Sequence, residues 1–390
     1  MSTFSNRFEG ITGSAIRQIF AYLSDPDIIS LAGGNPSPAT FPAHEIAQIA
    51  AELLERKGDR VLQYGATRGV NEFIEYLQQE NAAIMAAGDD IITTTGSSQG
   101  IDLAVRTYCD PGDIVLVEAP TFLGAMQTFR LAGAHVEPVT LEDDGVDIED
   151  LERKIQEHHP KIFYTIPNFQ NPSGITMSTE KRRAVRDMCR RYSVCVLEDD
   201  PYGRLRYDGE PLPSIQSFDD GTTVVQLNSY SKTISPGLRV GYAIGPKAAI
   251  SRMELLKQGA DVHTPNLNQE IVLEYLKRGL LEPHLEETCR LYRTQRDAMS
   301  ETLEAYAPPG TSWLVPDGGL FIWVKLPAGM NADRIFSAAV ENKVVFVPGP
   351  PFYPYGGHED TLRLNFSMPD EEQVREGTRR LCEVVAQSAA

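Results

Sequence analysis

No stretch of the 390-residue sequence approaches the ~18 consecutive apolar residues that a membrane-crossing helix needs. No charged-then-apolar leader opens the chain either, so secretion has no support. Basic residues are scarce beside acidic ones, 36 Lys and Arg against 54 Asp and Glu, for a net charge of -18. A nucleic-acid partner would need a basic face. The one dense basic cluster, "KRRAVRDMCRR" at 181–191, has helical spacing and reads as a solvated surface. Five cysteines stand without any CxxC pair, and seven histidines without an HExxH cluster, so nothing points to a metal. Unpaired thiols imply a reducing compartment, and the expected location is the cytoplasm. There is no internal repeat and no low-complexity linker.

What is present is alternation. From about residue 90, short β-rich runs ("DIITTTG", "DIVLVEAP", "HVEPVTLE", "KIFYTIP", "SVCVLEDD", "TTVVQLN", "RVGYAIG") are separated by segments with helical periodicity. Most runs are continuously apolar, as strands covered on both faces should be. The pattern predicts an α/β domain with a mostly parallel, seven-stranded sheet flanked by helices. After about residue 265 long helical patterns take over, then a short β set ("GGLFIWVKLP", "VVFVPG", "TLRLNFS"). That change predicts a smaller α+β domain. The expected divisions are an N-terminal arm over 1–42 packing with the small domain, a large domain over 43–285 and a small domain over 286–390.

Several stretches carry chemistry at predicted strand ends, where α/β sheets place ligands. "NSYSKTISPGLRVGY" at 228–242 sets Lys232 among Ser229, Ser231 and Thr233, with Arg239 following. An amine for a covalent bond, with hydroxyls and a guanidinium for a phosphate, would explain that company. "TTTGSSQGIDLAV" leads through Ser97 and Ser98 into a helix whose N-terminus can hold an anion, although taken alone an ordinary serine cap is the better reading. "LEDDPYGRL" ends a buried strand with three carboxylates and Tyr202 three residues after Asp199. Either these acids have a cationic partner or they form a solvated turn. "NFQNPSG" presents Asn171 in a Pro- and Gly-fixed turn. Phe122 could stack on a flat ring or simply pack in the core. Arg363, in the apolar "TLRLNFS", needs an anion, whether a ligand carboxylate or a structural acid.

Together these residues suit pyridoxal 5'-phosphate acting on amino acids. The chain resembles the fold-type I aminotransferases, the aspartate aminotransferase superfamily, over about residues 12–385. Within that group it is most similar to the 2-aminoadipate/kynurenine-type transaminases. The carrying stretches include "ISLAGGNPSPATFP", "LQYGATRGV", "TTGSSQGIDL", "NPSG", "LEDDPYG", "SYSKTISPGLRVGY", "KQGADVHTPNLNQ" and "LRLNFS". The resemblance implies a homodimeric transaminase in which Lys232 bonds the cofactor covalently and moves the proton. By the same match Asp199 pairs with the ring nitrogen, and Asn171 and Tyr202 bond the ring oxygen. Phe122 stacks on the ring, where the subgroup commonly has tyrosine. Ser97, Ser98, Ser229, Ser231 and Arg239 hold the phosphate, joined by Tyr64 of the neighbouring subunit. Arg363 takes the substrate α-carboxylate, with Asn171 and Gly34 close by.

Substrate choice divides two ways. Arg17, with Ser14 nearby, would read a distal carboxylate, or else form a helix-surface ion pair. Phe352 and Phe122 would instead line an apolar pocket. The expected reaction moves an amino group from an L-amino acid of 2-aminoadipate, aromatic or branched-chain type to 2-oxoglutarate. An amino-acid lyase or decarboxylase is the alternative on the same residues, and a cofactor-binding regulator is disfavoured by the acidic charge.

Overall fold

The computed structural model describes residues 25–389 together with Ser5, Ile19 and Tyr22. The first strand, β1 (Ile29–Ser30), leads into helices Ala43–Val61 and Asn71–Glu80. Then come β2 (Asp89–Thr94), β3 (Ile114–Ala119), β4 (His135–Glu142), β5 (Gly145–Val146), β6 (Ile162–Thr165), β7 (Cys195–Asp199), β8 (Val224–Ser229) and β9 (Gly241–Pro246). They form one sheet in the order β2-β9-β8-β7-β6-β3-β4-β5. The strands from β8 to β4 are parallel, β9 runs antiparallel to both its neighbours, and the two-residue β5 is an antiparallel addition to the seven expected strands.

The apolar runs follow from coverage on both faces. Val115 and Val117 of β3 point into one core, and Leu116 into another. β6 divides in the same way, Ile162 and Tyr164 against Phe163, as does β7, Cys195 and Leu197 against Val196. Helix Thr179–Arg191 contributes Val185 and Cys189 to the second core, starting at a Ser178 cap that accepts from the Lys181 N–H. This helix carries the basic cluster, and it departs from the solvated reading. Arg182 is fully buried, its guanidinium donating to the carbonyls of Met177, Pro167 and Pro213 and to Asn168 Oδ1. Four fixed oxygens replace water there, so the charge tolerates burial.

Beyond helix Asn266–Lys277 and the 26-residue helix Leu281–Tyr306, the C-terminal part builds β10 (Ser312–Trp313), β11 (Phe321–Lys325), β12 (Val344–Val345), β13 (Val347–Pro348) and β14 (Thr361–Asn365). Four of these form an antiparallel sheet, β10-β11-β14-β13. β1 pairs in parallel with β12. The Leu31 N–H donates to Val345 and the Leu31 carbonyl accepts from Asn365, which places the chain just before Ala32 and Gly33 beside β14.

Candidate active site

At one edge of the large sheet, Gly241 of β9 pairs with both Thr94 of β2 and Ser229 of β8. A Cβ at Gly241 would lie 2.6 Å from the Asn228 carbonyl oxygen, so only glycine permits this approach. Helix Ser97–Tyr108 starts beside it, with Gly96 as N-cap at φ 80° and no side-chain cap. The serine-cap alternative therefore does not describe this terminus, whose first N–H groups lack intrahelical partners and carry the positive end of the dipole. Arg239 lies against the turn, donating from Nη1 to Ser231 Oγ (3.1 Å) and from Nη2 to the Thr95 carbonyl (3.0 Å). A Cβ on Gly96 would sit 2.3 Å from that Nη2. Ser229 Oγ accepts from the Ser231 N–H at 3.1 Å. Ser97, Ser98, Ser229, Ser231 and Arg239 thus converge, and no carboxylate pairs with Arg239 among the described residues. The cluster offers donors and positive charge, the requirements of a bound phosphate.

Asp199 ends β7 three strands' width from that turn. Its Oδ2 accepts from the Tyr164 hydroxyl at 2.8 Å, while Oδ1 is buried with no partner. Burial, only partly offset by the Tyr164 bond and reinforced by Asp200, pushes its pKa up to about 7. An orphaned buried carboxylate oxygen is suited to a cationic donor. Lys232 Nζ donates to the Gly34 carbonyl at 2.6 Å. Burial, then the charges of Arg363 and Arg239, push its pKa down to about 8, so a substantial neutral fraction exists at mildly alkaline pH.

Asn171 links two further groups. Its Nδ2 donates to the Tyr202 hydroxyl at 3.4 Å, and its Oδ1 accepts from Arg363 Nη1 at 2.9 Å. Arg363 is fully buried; Nη2 donates to the carbonyls of Ala32 (2.8 Å) and Gly33 (3.3 Å), and Nε has no partner. Its guanidinium carbon lies 4.2 Å from the Phe321 ring centre and 5.2 Å from that of Phe352. Burial pulls its pKa down to about 10, still a cation at neutral pH. No acid pairs with it among the described residues, so the structural salt bridge weighed from sequence is not there.

The remaining expected residues sit differently. Phe122 is half-buried before helix Leu123–Leu131, and the neighbouring Thr121 N–H donates to the Phe352 carbonyl at 2.9 Å. Phe352 itself is fully buried, edge-to-face on Trp323 and with the Arg363 guanidinium 5.2 Å from its ring centre. Tyr64 is 80% exposed and its ring meets His263 at 6.0 Å; among the described residues no contact joins it to Arg239. Arg17 and Ser14 lie outside the described residues.

Sequence reasoning missed Tyr164 and Glu118. Glu118, fully buried at the end of β3, accepts from Thr165 Oγ1 (2.5 Å), the Ile166 N–H (3.2 Å) and Gln170 Nε2 (3.2 Å). Gln170 also donates to the Pro120 carbonyl and accepts from Ser173, and so braces the loop bearing Asn171. The only available signal was a glutamate near the end of the apolar run "IVLVEAP".

Residues 26–381 match the sequence profile of the family described as aminotransferase class I and II. The chain is 38% identical over 390 residues, 98% of its length and 94% of the relative's, to aromatic-amino-acid aminotransferase 1 of Thermococcus litoralis. Among solved structures, kynurenine aminotransferase of Pyrococcus horikoshii, in complex with PMP, superposes with a TM-score of 0.96 at 38% identity, covering 100% of this chain and 98% of that one. The α-aminoadipate aminotransferase of Thermus thermophilus, complexed with N-(5'-phosphopyridoxyl)-L-leucine, gives 0.91 at 37% identity, covering 98% and 97%. These relatives are transaminases throughout, which favours transfer over elimination or decarboxylation. Pyridoxal 5'-phosphate fits the donors present: an orphan carboxylate oxygen for a ring nitrogen, a buried amine of lowered pKa for an aldehyde, and an anion-binding turn for a phosphate. The chain belongs to the class I and II aminotransferases, pyridoxal-phosphate enzymes that transfer an amino group from an amino acid to a 2-oxo acid.

Proposed function

We propose that this aminotransferase takes amino groups from L-amino acids of the 2-aminoadipate, aromatic and branched-chain-like classes and delivers them to 2-oxoglutarate. The relatives named above support the donor classes. The observation that carries the site assignment is Asp199, a buried carboxylate with one oxygen left without a partner. When bound, pyridoxal 5'-phosphate supplies an electron-withdrawing ring that stabilises negative charge on the substrate α-carbon.

The chain's own residues do the rest. Asp199 keeps the ring nitrogen protonated through an ion pair in a poorly solvated site, held in place by Tyr164. Asn171 and Tyr202 hydrogen-bond the ring oxygen, and Phe122 packs on the ring face. Ser97, Ser98, Ser229, Ser231 and Arg239 hold the phosphate. Arg363 receives the substrate α-carboxylate near Asn171 and Gly34, fixing the α-carbon beside Lys232. Lys232 Nζ, beside that α-carbon, would act as general base for the substrate Cα proton and as general acid in returning it, with the cofactor supplying the electron sink. Arg17 reads a distal carboxylate, which an increased KM for 2-oxoglutarate in Arg17→Ala tests. Phe122, with Phe352 behind it, serves apolar side chains.

We place the working unit in a homodimer, with Tyr64 reaching the partner's phosphate site. The exposure of Leu62, Tyr64 and Val262, on two segments joined by the Tyr64–His263 ring contact, supports this, as large apolar groups exposed together suit an interface. Five free thiols support a cytoplasmic location. The division into an arm (1–42), a large domain (43–285) and a small domain (286–390) draws on the two separate sheets and the β1–β12 pairing.

The experiment is an absorption titration of the purified holoenzyme with single L-amino acids and no oxo acid. Conversion of the lysine-bound cofactor's visible band into that of the amine form is expected, fastest for the preferred donors. A band that no 2-aminoadipate, aromatic or branched-chain amino acid moves would remove the proposed specificity.

A further inference from the structure

Lys257, in helix Lys247–Ala260, has a side chain with 0% exposure, and lysine is seldom buried so completely. An ammonium has three N–H donors and no acceptor. Here they meet Asp261 Oδ1 and Oδ2, each at 2.9 Å, and Gln99 Oε1 at 2.6 Å. An ordinary i,i+4 ion pair would need only the first partner and would lie in solvent. The third bond instead crosses to the helix that starts at the phosphate turn.

Gln99 relays the contact. Its Oε1 also accepts from the Thr95 N–H at 2.8 Å, and its Nε2 donates to Asp261 Oδ2 at 2.7 Å. Because Lys257 can only donate, it fixes the amide oxygen, not the NH2, toward the turn. Thr95 is then held at every polar group: its N–H by Gln99, its hydroxyl by Asp261 Oδ2 (2.8 Å), and its carbonyl by Arg239 Nη2 (3.0 Å). Gly96 and Ser97 follow directly. None of these three bonds uses the N–H groups of Ser97 and Ser98, which stay available to an anion, while the Gln99 N–H donates to the Gly96 carbonyl at 3.1 Å.

We propose that Lys257 is a positioning residue for the phosphate end of the cofactor, acting through Gln99 to hold the Thr95–Ser97 turn and Arg239 in their binding arrangement. This rests on the reading that the turn holds phosphate. The test compares equilibrium binding of pyridoxal 5'-phosphate and of pyridoxal, which lacks the phosphate, to the apo forms of the wild type and of Lys257→Met. Methionine keeps the length and apolar stem but donates nothing. Asp261 retains Gln99 and Thr95 as donors, so the substitution leaves no isolated buried charge.

The expected result is a Kd for pyridoxal phosphate weakened about tenfold, ~1.4 kcal/mol, with pyridoxal binding unchanged. Gln99→Met, which cuts the relay and leaves the Lys257–Asp261 pair, should reproduce that selective loss, and it serves alone if Lys257→Met fails to fold. The double variant should lose no more than either single one, because both interrupt the same chain of bonds. Equal weakening of both ligands would reduce Lys257 to a stabiliser of the fold and overturn the proposal, as would no change in either. If the wild type itself shows no preference for pyridoxal phosphate over pyridoxal, the phosphate reading of the turn fails instead, whatever the variants do.

Discussion

Replacing Asp199 by asparagine alters the charge of one buried group and little of its shape. A carboxyl that ordinarily titrates at 3.8 titrates at about 7 here, chiefly because burial disfavours its charge. With a raised folded-state pKa, the folded protein holds a proton that the unfolded chain has released. Stability of the apo form therefore falls as pH rises from about 4 to about 7, and is level above that. At ~1.4 kcal/mol per pH unit the accumulated cost is roughly 4 kcal/mol above pH 7, and Asp199→Asn removes it. The advantage of the variant over the wild-type apo form should accordingly be near zero at pH 4 and grow by about 2–4 kcal/mol by pH 7.5. Denaturant midpoints of both apo forms across that range measure it. In the holoenzyme the order should reverse, since the carboxylate then has a cationic partner, and turnover should fall by about 10²–10³. An apo variant no more stable than wild type at pH 7.5, or a holo variant with unimpaired turnover, would refute the reasoning that this carboxylate waits buried for a cation.

Three other outcomes are expected. The rate at which the apo enzyme captures pyridoxal phosphate on Lys232 should climb with pH and level off above about 8, because only the neutral amine adds to the aldehyde; a flat profile from pH 6 to 10 would contradict that. Gly96→Ala places a Cβ against Arg239 at a left-handed φ, so the Kd for pyridoxal phosphate should rise by at least about tenfold in direct titration. Glu118→Gln leaves one of three buried donors facing an NH2 group, which should lower stability by about 1–3 kcal/mol in urea unfolding and raise KM through the loop bearing Asn171.

The strands of both sheets and the polar side chains set in them were readable from sequence for one reason. Polar residues such as Asp199, Ser229 and Arg363 interrupt apolar runs, where each one requires an explanation. Partnerships between strands were not readable. Tyr164 reaches Asp199 because β6 lies beside β7, and a tyrosine in "KIFYTIP" looks like any β-former. Lys257 and Arg182 were hidden for the opposite reason: on a helix, one inward-facing cation among several outward ones leaves no mark in composition. Only the fold reveals which of them turned inward.

The contacts of Arg363 also say something about how substrate enters and leaves. Its Nη2 is already satisfied by the carbonyls of Ala32 and Gly33, while the next residue, Gly34, satisfies Lys232. On the proposed reading, a carboxylate arriving at Arg363 would find Nε unpartnered but Nη2 engaged, so one oxygen gains a fresh bond while the other shares or displaces a carbonyl oxygen. Binding becomes an exchange of oxygens around a guanidinium that is held rigid throughout by Phe321 and Phe352. Such an exchange yields modest affinity with sharp orientation. That suits a site which must release one oxo acid before it admits the next.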